Sequence, residues 1–199
     1  FNSNKKDFNV IFLPYKVGDK KNVLTCLFED AHVLVCDVSK AKKDIRRIIV
    51  TFLCSKIYNY AVNNRKNKTS LHLIVDEAHN YLSSQNIDKE DAIAKTCIET
   101  FESIIKEGRK FGVILDLITQ RPTELSETVI SQCTNFLIFK ITHPSDLEYI
   151  RKMVPNISAD VIEKQKSLQS GTCVAFGKIM KIPMIVKMQL PNPEPHSSN

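Results

Sequence analysis

The chain has 199 residues, 43% hydrophobic and 25% charged, with a formal net charge of +6, enough to bury a substantial core in one domain. No apolar stretch approaches the ~20 residues needed to span a bilayer, and from the polar opening Phe1-Asn2-Ser3-Asn4-Lys5-Lys6 no signal peptide is expected. Cys26, Cys36, Cys54, Cys97, Cys133 and Cys173 lack metal-ligand spacing and the histidines form no cluster, so the expectation is a cytoplasmic protein with reduced, buried thiols and no membrane association.

In chain order, Asn9 to Leu13 reads as a short strand, followed by the polar turn Lys16 to Lys21. Ala31 to Val38 (AHVLVCDV) predicts a buried strand, with Asp37 assigned to turn or cap chemistry with Ser39. A helix is predicted over 41–63, its apolar stripe formed by Ile45, Ile48, Ile49, Phe52, Leu53, Ile57 and Tyr60. Its polar face begins with Lys40, Lys42, Lys43, Arg46 and Arg47, and Asn63 to Ser70 forms a basic loop containing Arg65 to Lys68. Such clusters can meet a phosphate backbone, although a solvated face is the commoner outcome.

The run Leu71-His72-Leu73-Ile74-Val75 is apolar enough for a strand buried on both faces, and it ends in the adjacent acids Asp76 and Glu77 before Ala78 and His79. Carboxylates are costly to bury, so they belong at the strand's carboxyl end, where α/β sheets open a ligand crevice. Two acids placed so can serve a nucleotide hydrolase, one holding the Mg²⁺ shell and the other orienting or deprotonating water. They can equally head a helix as favourable N-terminal charge. His79 is assigned no chemical role. A loop is expected over 82–90, then a helix from Glu90 to about Lys110 with Ile93, Cys97, Ile98, Phe101, Ile104 and Ile105 at helical spacing.

Gly112 to Ile118 forms the next apolar strand and runs into Thr119-Gln120-Arg121-Pro122. An amide at such a tip can donate to a phosphate oxygen and accept from water. Strand, helix and strand make one right-handed βαβ unit with both polar tips on the same sheet edge. Beyond Pro122, helices are expected over 124–132, 144–153 and 158–165, the last capped by Ser158, and strands over 135–141, 171–176 and 182–190. Residues 191–199 form a proline-rich tail. Glycine occurs only at positions 18, 108, 112, 171 and 177, so no G-x-x-x-x-G-K-[ST] loop is present to wrap nucleotide phosphates.

The segments LIVDEAH, EGRKFGVILDLITQRP and LSETVISQCTNFLIFKITHPSDLEYI together resemble the carboxyl half of HerA-type ATPases, hexameric double-stranded DNA translocases related to FtsK and the conjugative ATPases. The resemblance covers roughly residues 32 to 190. A DEAH-box helicase shares four letters, but neither its Ser-Ala-Thr motif nor its arginine-rich motif has a counterpart here. The resemblance implies a RecA-like P-loop NTPase core, α/β with a mainly parallel sheet, of which residues 1–190 form the carboxyl part. It places the phosphate loop upstream, so the sequence reads as the carboxyl part of a longer chain, the alternative being a relative without that loop, and this stretch alone is not expected to hydrolyse ATP.

It also implies roles. Asp76 would hold water of the Mg²⁺ shell, Glu77 would orient the attacking water, and Gln120 would sense the γ-phosphate of ATP. Arg109, in the Gly-Arg-Lys motif, would be the arginine finger reaching a neighbour's nucleotide, with Arg121 as its rival beside the sensor. Their plainer alternatives are helix C-terminal electrostatics for Arg109 and a turn-holding salt bridge for Arg121. The implied partners are other copies of the chain in a hexamer, double-stranded DNA, and a nuclease or another effector, such as an NAD-consuming enzyme in antiviral defence. A different class of reading makes the ring an assembly scaffold that regulates an effector with little DNA movement.

Overall fold

The computed structural model describes residues 33, 35–63, 70–83, 91–153, 159–180 and 182–192. In chain order the elements are α1 (Lys43–Asn63), β1 (Leu71–Val75), α2 (His79–Leu82), α3 (Ala92–Glu107), β2 (Val113–Leu117), α4 (Glu127–Gln132), β3 (Asn135–Ile138), α5 (Pro144–Met153), α6 (Ala159–Lys166), β4 (Thr172–Gly177) and β5 (Met184–Lys187). Short 3-10 turns occupy Gly108–Phe111 and Pro122–Glu124. The chain divides into two compact units, Phe1–Ile74 with Asp88–Asp116, and Val75–Ile87 with Leu117–Asn199. The expected strand over 9–13, the turn over 16–21, the basic Arg65 to Lys68 loop, Cys26, the Ser158 cap and the tail beyond 192 lie outside the described residues.

In the first unit α1 packs against α3. Helix α3 turns Ala94, Cys97, Ile98, Phe101 and Ile104 inward, the i, i+3, i+4, i+7 spacing of one helix face. It starts at Ala92 rather than Glu90 because Asp91 is its N-cap, Oδ1 accepting the Ala94 N–H at 2.9 Å. The other Asp91 oxygen accepts from Arg47 Nη1 at 3.1 Å. This corrects the expected orientation of α1: Arg47 is only 4% exposed, and of the predicted stripe only Ile57 is buried, while Ile45, Ile48 and Phe52 face outward. A carboxylate at the start of the facing helix draws the guanidinium into the interface and turns the opposite helix face to solvent. Replacing Asp91 with Ala should remove both the cap and the carboxylate facing Arg47. The expected cost is about 3 kcal/mol, read as a lowered urea midpoint of the full-length protein.

Helix α3 ends at Glu107, short of the predicted Lys110, where the chain tightens into a 3-10 turn over Gly108–Phe111. Gly112, at φ 77°, then turns the backbone into β2. Strands β1 and β2 form a two-stranded parallel sheet. Their order rises together, from Leu71 N–H on the Gly112 carbonyl at 2.8 Å to Ile118 N–H on the Val75 carbonyl at 2.9 Å. Burial of β1 on both faces was expected, yet Ile74 is 66% exposed. An apolar run tolerates burial on either face, but a face is buried only where another layer lies against it. Of the predicted strand over 31–38, residues 31, 32 and 34 lie outside the described residues; Val33 makes a single bridge, and 35–38, against expectation, have no regular structure and are largely exposed. Asp37 does accept the Ser39 N–H at 2.8 Å, the turn chemistry expected of it.

In the second unit β3, β4 and β5 form an antiparallel sheet in that order, with Leu137 opposite Ala175 and Val174 opposite Ile185. Ile150 of α5, Leu168, Val174 and Phe176 form its core, with Phe136, Ile138, Ile141 and Val161 packed against them. The Phe136 and Phe176 rings stack at 4.8 Å between centroids. Strand β3 stops at Ile138 instead of Ile141 because the buried Gln165 amide donates to the Ile138 and Phe139 carbonyls. The helix expected over 124–132 is broken at Leu125, which bridges to Ser83, and resumes as α4.

Cys54, Cys97 and Cys173 are buried free thiols as expected, Cys133 is half-buried, and Cys36 is exposed, against expectation. Burial pushes the Cys54 thiol up to about 12, leaving it inert as a nucleophile. Among the described residues no helix is long and apolar enough to cross a membrane, and no three His, Cys, Asp or Glu side chains group as metal ligands.

Candidate functional site

The acids following β1 and the polar residues following β2 converge in the second unit. Ladder bonds flank the acids, Ile118 N–H donating to the Val75 carbonyl and Ala78 N–H to the Ile118 carbonyl, both at 2.9 Å. Between these fixed points Glu77 adopts φ 49°, the only positive φ of a non-glycine among the described residues. That conformation costs of order 1 kcal/mol or more and persists where the surroundings over-determine it, which is the situation typical of functional positions. Asp76 is exposed, with Oδ1 accepting the Glu77 N–H at 2.9 Å.

The two Glu77 carboxylate oxygens differ. Oε1 accepts from Gln120 Nε2 at 3.0 Å. Oε2 is shielded from solvent, accepts no hydrogen bond, and lies 3.3 Å from His79 Nδ1. A shielded acceptor left unsatisfied is unusual in a native fold. His79 Nδ1 lies 3.2 Å from Thr119 Oγ1, which also accepts the Arg121 N–H at 3.0 Å. The Arg121 guanidinium donates to Glu124 Oε1 at 2.8 Å, and that hydrogen bond, then the Glu124 charge, raises its already high pKa. Asp76 suits Mg²⁺: an exposed carboxylate with one oxygen tied to a backbone amide is the kind of group that meets this strongly hydrated cation, often through water.

Comparison with known proteins places the chain among its relatives. No family model matches the chain. It is 32% identical over 163 residues to the DNA double-strand break repair helicase HerA of Saccharolobus solfataricus, covering 79% of this chain and 31% of that protein. It is 34% identical over 163 residues to the HerA helicase of Sulfurisphaera tokodaii, covering 78% and 31% respectively. The chain is HerA-like. It spans about a third of the length of these curated relatives, 31% in both. Its fold matches the genome packaging NTPase B204 of Sulfolobus turreted icosahedral virus 2, solved with ATP-gammaS, at a TM-score of 0.60 and 22% identity, over 85% of this chain and 73% of that one.

The HerA-like chain thus has the α/β fold expected of it, and its second unit brings together four of the five site residues singled out from sequence: Asp76, Glu77, Gln120 and Arg121. Arg109 is not among them. It lies in the first unit, exposed, in the 3-10 turn before β2. Arg121 makes the turn-holding salt bridge that was its plainer reading. Sequence reasoning missed His79 and Thr119. Their signal was the imidazole two residues beyond the second acid and the hydroxyl just before Gln120, but only the fold makes them neighbours.

Proposed function

We propose that this HerA-like chain supplies the acid-bearing part of an ATP-hydrolysing site in a ring-forming, double-stranded DNA translocase. The observation that supports this best is Glu77, held in a rare backbone conformation with one carboxylate oxygen bound to Gln120 and the other shielded and unsatisfied. In this reading Oε2 accepts the proton of the attacking water, the base function that carboxylates perform in such sites. Asp76 would hold Mg²⁺ through its hydration shell, and the ion would neutralise phosphate charge. Gln120 retains a second N–H and its carbonyl for the γ-phosphate or the water, so a change at the nucleotide is felt directly at Glu77. The relatives named as helicases and the packaging NTPase make DNA the natural track.

The hexamer, Arg109 acting in trans, and a nuclease or other effector partner belong to the same proposal. So does the placement of residues 1–190 within one ATPase domain and of the site in the cytoplasm. DNA contact by the basic start of α1 narrows to Lys40, Lys42 and Lys43. Arg46 Nη2 donates to the Ser39 and Ala41 carbonyls at 3.0 and 3.1 Å, and Arg47 is buried against Asp91. Steady-state ATP hydrolysis by the full-length protein should rise several-fold on adding linear double-stranded DNA, with the effect weakening as salt increases. Turnover indifferent to DNA would point instead to a scaffold that organises an effector.

A further inference from the structure

We propose that His79 is a positioning residue for Glu77, anchored in turn by the Thr119 hydroxyl. The proposal rests on the reading of Glu77 as the group that takes the water proton.

The imidazole is mostly buried, its side chain 14% exposed, while the Glu77 side chain is 39% exposed. A carboxylate at a half-open strand tip has a broad, two-fold terminal torsion, so one contact on Oε1 does not fix where Oε2 points. Gln120 supplies that one contact. The ring of His79 closes the other side, with Nδ1 3.3 Å from Oε2. An unprotonated Nδ1 would turn its lone pair toward a carboxylate oxygen, so the favoured neutral tautomer carries its proton on Nδ1. That nitrogen is hydrogen-bonded to Thr119 Oγ1 at 3.2 Å and lies 3.3 Å from Glu77 Oε2, which it faces without bonding. Thr119 is itself held by the Arg121 N–H. The segment that carries Gln120 to Oε1 therefore also anchors the ring beside Oε2, and both carboxylate oxygens are placed by three consecutive residues.

A histidine that merely fills space above Thr119 would sit in the same place, so the test must separate orientation from folding. In the full-length protein, His79→Leu is expected to lower kcat roughly tenfold to a hundredfold, the loss that follows a misplaced reacting group. KM and the affinity for a fluorescent ATP analogue should be unchanged. His79→Asn, whose amide nitrogen can take the place of Nδ1, should restore most of the rate. Thr119→Val should lower kcat in the same direction. In single-turnover measurements, His79→Leu should add little further loss to Glu77→Gln, because the ring acts through that carboxylate.

An unchanged kcat in His79→Leu overturns the proposal. So does a loss that His79→Asn fails to restore, or one that adds in full to that of Glu77→Gln. Should His79→Leu fold poorly, His79→Asn with Thr119→Val decides alone: kcat at the wild-type level in the valine variant overturns the proposal. Wild-type turnover by Glu77→Gln would sink the reading of Glu77 itself, an outcome distinct from a silent His79.

Discussion

Glu77→Gln in the full-length protein is expected to lower ATP turnover by about 10²–10⁴-fold, the range over which a positioned general base contributes. Nucleotide binding and subunit assembly should survive. Glutamine has nearly the shape of glutamate, its carbonyl oxygen can still accept from Gln120, and the strained φ of 49° is left as it is. What it loses is the ability to take a proton. Turnover by phosphate release, nucleotide affinity by fluorescence and assembly by light scattering separate these effects. A variant that hydrolyses ATP at the wild-type rate would return the two acids to the plainer reading, favourable charge ahead of a helix. The helix itself gives that alternative little room, since α2 spans only His79–Leu82, a single turn, and Ala78, which precedes it, forms no side-chain cap.

Arg109→Ala carries the second large expectation. An arginine that stabilises transition-state charge on a neighbour's nucleotide is worth about 10³–10⁵ in kcat. The exposed position of Arg109 in the turn before β2 means that its removal should cost the fold little. Because the residue would act across a subunit boundary, mixing variant and wild-type subunits should depress activity more than in proportion to the variant fraction. A strictly linear loss would exclude action in trans. Arg121→Ala is the control: its guanidinium is already engaged by Glu124 at 2.8 Å. Its loss should loosen the turn that carries Gln120 without the same concentration dependence.

Much of this chain was legible in its sequence, for reasons visible in particular elements. Helix α5 was legible because a proline is tolerated in the first turn of a helix and so marks its start. The strand over 71–75 and its acids were legible because a carboxylate is costly to carry into a core, so two of them in a row mark where an apolar strand must stop. The facing of α1 was not. Its apolar residues occur nearly all round, and burial of Arg47 depends on Asp91, 44 residues away. The described part of the strand expected over 31–38, residues 35–38, is irregular for a related reason. Apolar β-branched residues permit a strand, whereas hydrogen-bond partners from another part of the chain make one.

The sequence by itself determined which chemistry was available: two acids after one strand, an amide after the next, and an arginine in a Gly-Arg-Lys turn. These are local patterns, set by the cost of burying charge and by the alternation of strand and helix. Only the tertiary structure decided how the parts act on one another. It set Gln120 on one oxygen of Glu77 and His79 beside the other, tied Arg121 to Glu124, and buried Arg47 against Asp91. Contacts between residues about 40 positions apart, such as Glu77 with Gln120, leave no periodic trace in the chain. They arise because the register of β1 on β2 brings two strand ends to the same level, where a shift of a single residue would separate the same side chains.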